Sequence, residues 1–170
     1  QSLTQNTSRE LTYTMSNSVE DLVVSSLLHN VDFTRKTLPH IKTEYFENYN
    51  NKVIYEELSS YFTEYDSLPS KEALRIEIES RSDLNETTFT EIKQTIDLST
   101  EEPHEIDWLV HTSEKWCRDR AIYNALLESI QIADGNSETQ GRDAIPSILS
   151  NALSVSFDNS VGHDYLDDSD

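Results

Sequence analysis

Glycine is almost missing from this sequence. There are 3 Gly in 170 residues, and the first is Gly135. Sandwiches and barrels need Gly in tight turns and bulges, so its scarcity argues against an all-β fold and for an all-α one. Cysteine is nearly absent too. Cys117 stands alone, which excludes an internal disulfide and predicts a reducing, cytoplasmic location. Apolar residues make up 35% of the chain, so the core is expected to be thin and shared among amphipathic helices. No apolar run approaches the ~20 residues of a membrane span, and no secretory signal opens the chain. Positive charge is also short: 13 Lys and Arg stand against 32 Asp and Glu, a net charge of −19. That argues against sequence-independent nucleic-acid binding by the chain alone and against adhesion to anionic membranes, both of which need clustered cations. The basic groupings Arg35/Lys36 and Lys115/Arg118/Arg120 read as solvated helix faces with acidic neighbours such as Glu114 and Asp119. No Gly-Lys pair occurs, so the phosphate cradle of a P-loop is absent.

What is present is helical periodicity. Residues 1–16 are polar and read as a disordered leader, with Met15 a candidate first residue. Asn17 with Glu20 fits a capping box, and Val19, Leu22, Val23, Leu27 and Leu28 follow at helical spacing. Asp32 is placed to cap a short second helix with Phe33 and Leu38, and Ile41–Phe46 reads as a connector. Ile54, Leu58, Tyr61, Phe62 and Tyr65 form the clearest single face in the first half. Ser70 caps a helix with Ala73, Leu74, Ile76 and Ile78. Asn85 caps another with Phe89, Ile92 and Ile96. Together, 17–102 reads as a small helical bundle.

Residues 103–157 read as a long antiparallel helical hairpin. Thr100–Pro103 opens its first helix, which runs from about Asp107 to Ala133, and Gly135 ends it. Asp143 caps a return helix reaching Phe157, with Ile145, Ile148, Leu149, Ala152 and Leu153 along one stripe. The second half of the long helix carries Ala121, Ile122, Tyr123, Ala125, Leu126, Leu127, Ile130 and Ile132, more apolar surface than one partner helix covers. Leu109, Trp116, Tyr123 and Ile130 fall seven apart, a short heptad-like line. These patterns predict an oligomer seam, for which the candidate residues are Trp116, Tyr123, Leu127, Ile130, Ile145, Leu149 and Leu153. Residues 158–170 hold five aspartates and no basic residue, and read as an acidic linker to an absent domain.

That linker carries a family likeness. Ala152–Phe157, continuing through Gly162, His163, Tyr165, Leu166 and Asp168, closely resembles the segment that joins the two domains of the DnaB-type replicative helicases of large tailed phages. Thr43–Phe46 running on to Tyr65, Leu68–Leu74, and Trp108 through Arg120–Ala125 resemble the same family, so the likeness spans about 19–170. The resemblance implies a helical N-terminal domain whose hairpins pair, giving homo-oligomers that are dimers or a hexameric ring of them. It implies a collar that engages primase and a helicase loader, in the host cell cytoplasm. It also implies a separate motor that uses ATP and Mg and meets single-stranded DNA. Without a P-loop, this segment carries none of that catalysis and needs no cofactor itself.

Other chemistry is weaker. Asp107 and His111 lie one turn apart beside His104 and Glu105, but no second helix supplies matched metal ligands. His163 with Asp164, Asp167 and Asp168 lacks calcium-loop spacing. Cys117, on a helix between Trp116 and Arg118, reads as a structural thiol. The aromatics Tyr45, Phe46, Tyr49, Tyr55, Tyr61, Phe62 and Tyr65 read as core and domain surface rather than base-stacking groups. A reading of another class also fits the charge: a free-standing acidic helical adaptor or DNA mimic that captures a basic partner.

Overall fold

The computed structural model describes residues 18–158. The leader, Asn17 as the first cap, and the linker from residue 159 onward lie outside the described residues. Among the described residues the fold is all-α, with seven helices and no strand. Helix α1 covers 18–29. Asn30, in extended backbone, accepts from the Phe33 amide at 3.0 Å and starts α2, Val31–Thr37. Asp32, the cap expected from sequence, does not fill that role. Asp32 sits instead in the first turn, where its charge meets the positive end of the helix dipole.

Helix α3, Tyr49–Tyr65, is capped by Asn48 and stops at Asp66, whose φ of 52° breaks the helical path. Ser70 caps α4, Lys71–Glu79, and Asn85 caps α5, Glu86–Leu98, each accepting from the amide three residues on. Helix α6 runs Ile106–Ala133. Residues 100–105 are not helical, so Pro103 precedes the helix rather than occupying its first turn. The first backbone bond of α6 is Leu109 N–H to Glu105 O. Helix α7 is Ile145–Leu153.

The chain divides into two compact units at Trp116/Cys117, inside α6. Leu109 and Trp116 belong to the first unit and are buried there.

The first unit is built on α3. Val53, Ile54 and Leu58 are fully buried, as are Leu74 and Ile78 of α4 and Ile92 and Ile96 of α5. Each such side chain contributes roughly 1.5–3 kcal/mol through burial. Phe33, Val23 and Leu27 complete the core. The Ile41–Phe46 connector is structural too. Phe46 stacks on Tyr55 with centroids 4.8 Å apart, and Tyr45 and Phe46 both meet the Trp116 ring edge-on, at 6.3 and 5.1 Å. Such pairs add to plain area burial. Expected core positions Ile76 and Tyr65 are exposed, and Tyr65 lies against Tyr61 at 4.6 Å.

Polar ties join the helices of this unit. Glu20 is only 2% exposed. Its carboxylate accepts from the Glu47 and Asn48 amides at 2.6 and 3.2 Å and from Asn51 Nδ2 at 3.0 Å, so it anchors the entry to α3. Lys71 Nζ donates to the Asp97 and Ser99 carbonyls at the end of α5, at 3.2 and 2.7 Å, where a cation complements the helix dipole. Arg81 binds Asp83 at 2.7 Å and Glu57 at 3.1 Å. The Asp83 hydrogen bond pushes the Arg81 pKa up, and Arg81 holds the Asp83 carboxyl below the usual carboxylate range.

In the second unit α6 ends in a paired cap. Gly135, at φ +78°, lets Asn136 N–H reach Gln131 O at 2.9 Å and Gly135 N–H reach Ile132 O at 3.1 Å. Two bonds then set the course of the return. Arg142 Nη2 donates to Ala133 O at 3.3 Å, and Arg118 Nε donates to Val155 O at 2.9 Å. Cys117, Ala125, Ile132 and Ala152 are buried in this unit. The return helix is shorter than its apolar spacing suggests. A 3-10 turn at Arg142–Ala144 precedes it, so Asp143 is no cap. It ends at Leu153, where Ser154 Oγ bonds Asn151 O, and Phe157 lies beyond it. Serine offers the backbone a local alternative to helix, and the run Ser154-Val155-Ser156 gives two of them.

Candidate functional site

Part of α6 is buried on one face and bare on the other. Cys117, Ala125, Ser129 and Ile132 lie on the buried face, with Ala121 half-buried beside them. Tyr123, Leu126, Leu127 and Ile130 follow i, i+3, i+4, i+7 and point the opposite way. They are 50, 48, 46 and 57% exposed. Four large apolar side chains in one unbroken row are unusual on a chain this polar, and such patches mark contact surfaces. The row itself holds no charged residue. The Arg120 guanidinium lies over the Tyr123 ring at 5.0 Å and is itself largely buried, which fixes the ring at one end of the row.

The seven residues that the sequence singled out do not share one fate. Tyr123, Leu127 and Ile130 stand in the exposed row. Leu153, at the end of α7, is exposed as well. Ile145 and Leu149 are half-buried. Trp116 continues the same seven-residue line, yet it is 4% exposed and held by Tyr45 and Phe46 in the first unit. The residue missing from that set is Leu126. Its i+3 spacing from Tyr123 and i+4 spacing to Ile130 were the available signal.

The other candidates for chemistry are dispersed. His104 lies 3.6 Å from Glu102 and packs its ring on Trp108 at 5.4 Å. His111 and Asp107 are exposed on α6. Among the described residues no three His, Cys, Asp or Glu side chains are grouped to hold a metal ion. Cys117 is completely buried. The pair His163 and Asp164 and the aspartates after them fall outside the described residues. Tyr45, Phe46, Tyr55 and Phe62 are core side chains. No helix among the described residues is long and apolar enough to cross a membrane.

No protein-family model matches the chain. A curated protein does. The chain is 33% identical over 156 residues to a protein described as a DnaB-like replicative helicase, from Enterobacteria phage T4. The match takes in 87% of this chain and 33% of the relative, so the chain spans about a third of that protein's length. Along most of its length the chain is thus similar to one third of a DnaB-like replicative helicase.

Proposed function

We propose that this chain is the N-terminal subunit-pairing and partner-docking region of a phage DnaB-type replicative helicase. The observation that carries the pairing is the exposed row Tyr123, Leu126, Leu127 and Ile130 on α6. An isolated helix face of this kind loses water most readily against a like face on a second copy, as in paired helical hairpins. In this reading homo-oligomers, as dimers or a ring of dimers, hold subunits in register. Primase and a loader dock on the assembled surface. ATP, Mg and single-stranded DNA belong to the motor of the whole protein, which unwinds DNA at the replication fork. The partial match to a helicase, together with a sequence that has no P-loop, supports this division of labour.

Light scattering tests it. The chain at tens of micromolar is expected to run as a dimer or larger. The double change Leu127→Glu with Ile130→Glu is expected to raise the dissociation constant at least ~100-fold, because two carboxylates then have to be desolvated at the centre of the contact. Both positions are exposed, so helix content by circular dichroism stays that of the parent. A parent that is strictly monomeric, or a variant of unchanged mass, rules out this seam. The net charge of −19 also fits an acidic adaptor, and a salt-sensitive 1:1 complex between a monomeric chain and a basic protein is the outcome that favours it.

A further inference from the structure

We propose that a groove in the first unit, between α1 and the connection from α5 to α6, docks a short basic peptide segment of a partner protein through apolar anchors. This extends the reading of the chain as a docking region by naming one surface and the chemistry it takes.

The groove has a volume of about 980 Å³, near the upper limit for a small-ligand pocket, and it is partly open to solvent. Val24 and Leu109 line its floor and are buried, giving it apolar lining beside the polar Asn48, Asn51 and Thr95. Leu22 and Leu28 of α1 form a half-buried wall. Leu98 stands at the lip. Ile92 and Ile96 of the same helix are sunk in the core, whereas Leu98 is 71% exposed. The α1 side is tied to the connection by His29 Nε2 and Ser99 Oγ at 2.8 Å and by Ser25 Oγ donating to Thr100 O at 3.3 Å. The groove is therefore held in shape before anything enters it.

Charge selects the occupant. Asp21, Glu101 and Glu102 line the rim, and among the described residues no Lys or Arg lines the groove. Glu102 lies 3.6 Å from His104 Nε2. A nucleic acid is repelled from such a rim, and so is a second copy of a chain that carries −19. A peptide with Lys or Arg beside Leu-like side chains satisfies both features. Its cations meet the rim carboxylates, and its apolar groups cover the floor and Leu98.

The test uses the full chain, labelled with nitrogen-15, and a capped amphipathic peptide of lysine, leucine and alanine. Two controls carry glutamate for lysine and serine for leucine. Amide shifts are expected to change at residues 21–29 and 98–104 and to saturate with the lysine–leucine peptide alone. By fluorescence anisotropy, Glu101→Lys with Glu102→Lys is expected to weaken binding about tenfold or more. Leu98→Ser should weaken it about tenfold through lost apolar contact. All three side chains are exposed, so these variants keep the fold. Equal binding of the leucine-free peptide would reduce the effect to bare charge attraction and overturn the proposal. Shifts confined to residues 123–130, shifts scattered over the surface, or none at all overturn it as well. A chain that assembles by light scattering yet leaves these amides unmoved defeats the groove and leaves the pairing intact.

Discussion

Replacing Glu20 with Ala is expected to loosen the first unit by about 2–4 kcal/mol. The figure follows from what the carboxylate holds. One oxygen accepts from the Glu47 amide at 2.6 Å, and the other from the Asn48 amide at 3.2 Å and Asn51 Nδ2 at 3.0 Å. Hydrogen bonds to a charged group are worth roughly 1.5–3 kcal/mol each. Water can reach residues 47 and 48, which are exposed, so those two donors lose about 1 kcal/mol apiece. Asn51 is buried and keeps its bond to Asp21 Oδ1, at 2.9 Å. Glu20→Gln retains one acceptor oxygen but turns an NH2 group towards donors, so it should fall between, at about 1–2 kcal/mol. The assay is a urea titration followed by tryptophan fluorescence, since Trp116 lies in the core of the same unit. With a slope near 2 kcal/mol/M, Glu20→Ala should lower the midpoint by about 1–2 M. If both variants unfold within about 0.5 kcal/mol of the parent, the carboxylate is not an anchor and this reasoning fails.

Three further outcomes are expected. Gly135→Ala should cost the second unit about 1 kcal/mol, because φ is +78° and the added methyl meets no atom within 4 Å, so only backbone strain acts; amide exchange at Asn136 reads it, and unchanged protection there counts against the paired cap. Lys71→Met should cost about 1 kcal/mol by removing the donor to the Asp97 and Ser99 carbonyls, with faster exchange in the last turn of α5 as the signature. The Asp83 carboxyl is held below its ordinary value near 3.8, so its contribution is complete above that pH and is lost as pH falls through the lower folded value. Acid unfolding of the parent should therefore steepen below about pH 4 relative to Asp83→Asn, and parallel curves would show that the Arg81 pairing does not stabilise the fold.

Helix identity was legible because local chemistry determines it. Ser70, Asn85 and Gly135 do what such residues do at helix ends, and Leu74, Ile78, Ile92 and Ile96 fall at core spacing. Glu20 was legible only in part. Its position fits a capping box, but its carboxylate reaches α3, some 27 residues away in sequence, and no local pattern encodes that bond. The packing of the Ile41–Phe46 connector is non-local for the same reason, since its aromatic partner Trp116 lies far along the chain. The groove between α1 and the α5–α6 connection left no mark in the periodicity. Its floor comes from α1 and α6 and its lip from the end of α5, elements brought together only by folding.

The heptad line through Trp116, Tyr123 and Ile130 shows where periodicity stops deciding. Spacing places all three on one side of α6, but exposure separates them, because Trp116 is buried against Tyr45 and Phe46 while Tyr123, beneath Arg120, and Ile130 stay half exposed or more. What remains bare is uncharged, on a chain of net charge −19. This gives the two proposed surfaces opposite responses to salt. Copies that pair through the α6 row bring like charges together, so screening removes a repulsion and association tightens as ionic strength rises. A basic peptide at the rim of Asp21, Glu101 and Glu102 is attracted by the same charge, so screening weakens it. Raising salt from about 0.05 to 0.5 M, which shrinks the screening length from roughly 14 to 4 Å, should therefore drive pairing up and peptide uptake down in the same sample. If pairing weakens along with peptide uptake, charge rather than the apolar row holds the copies together.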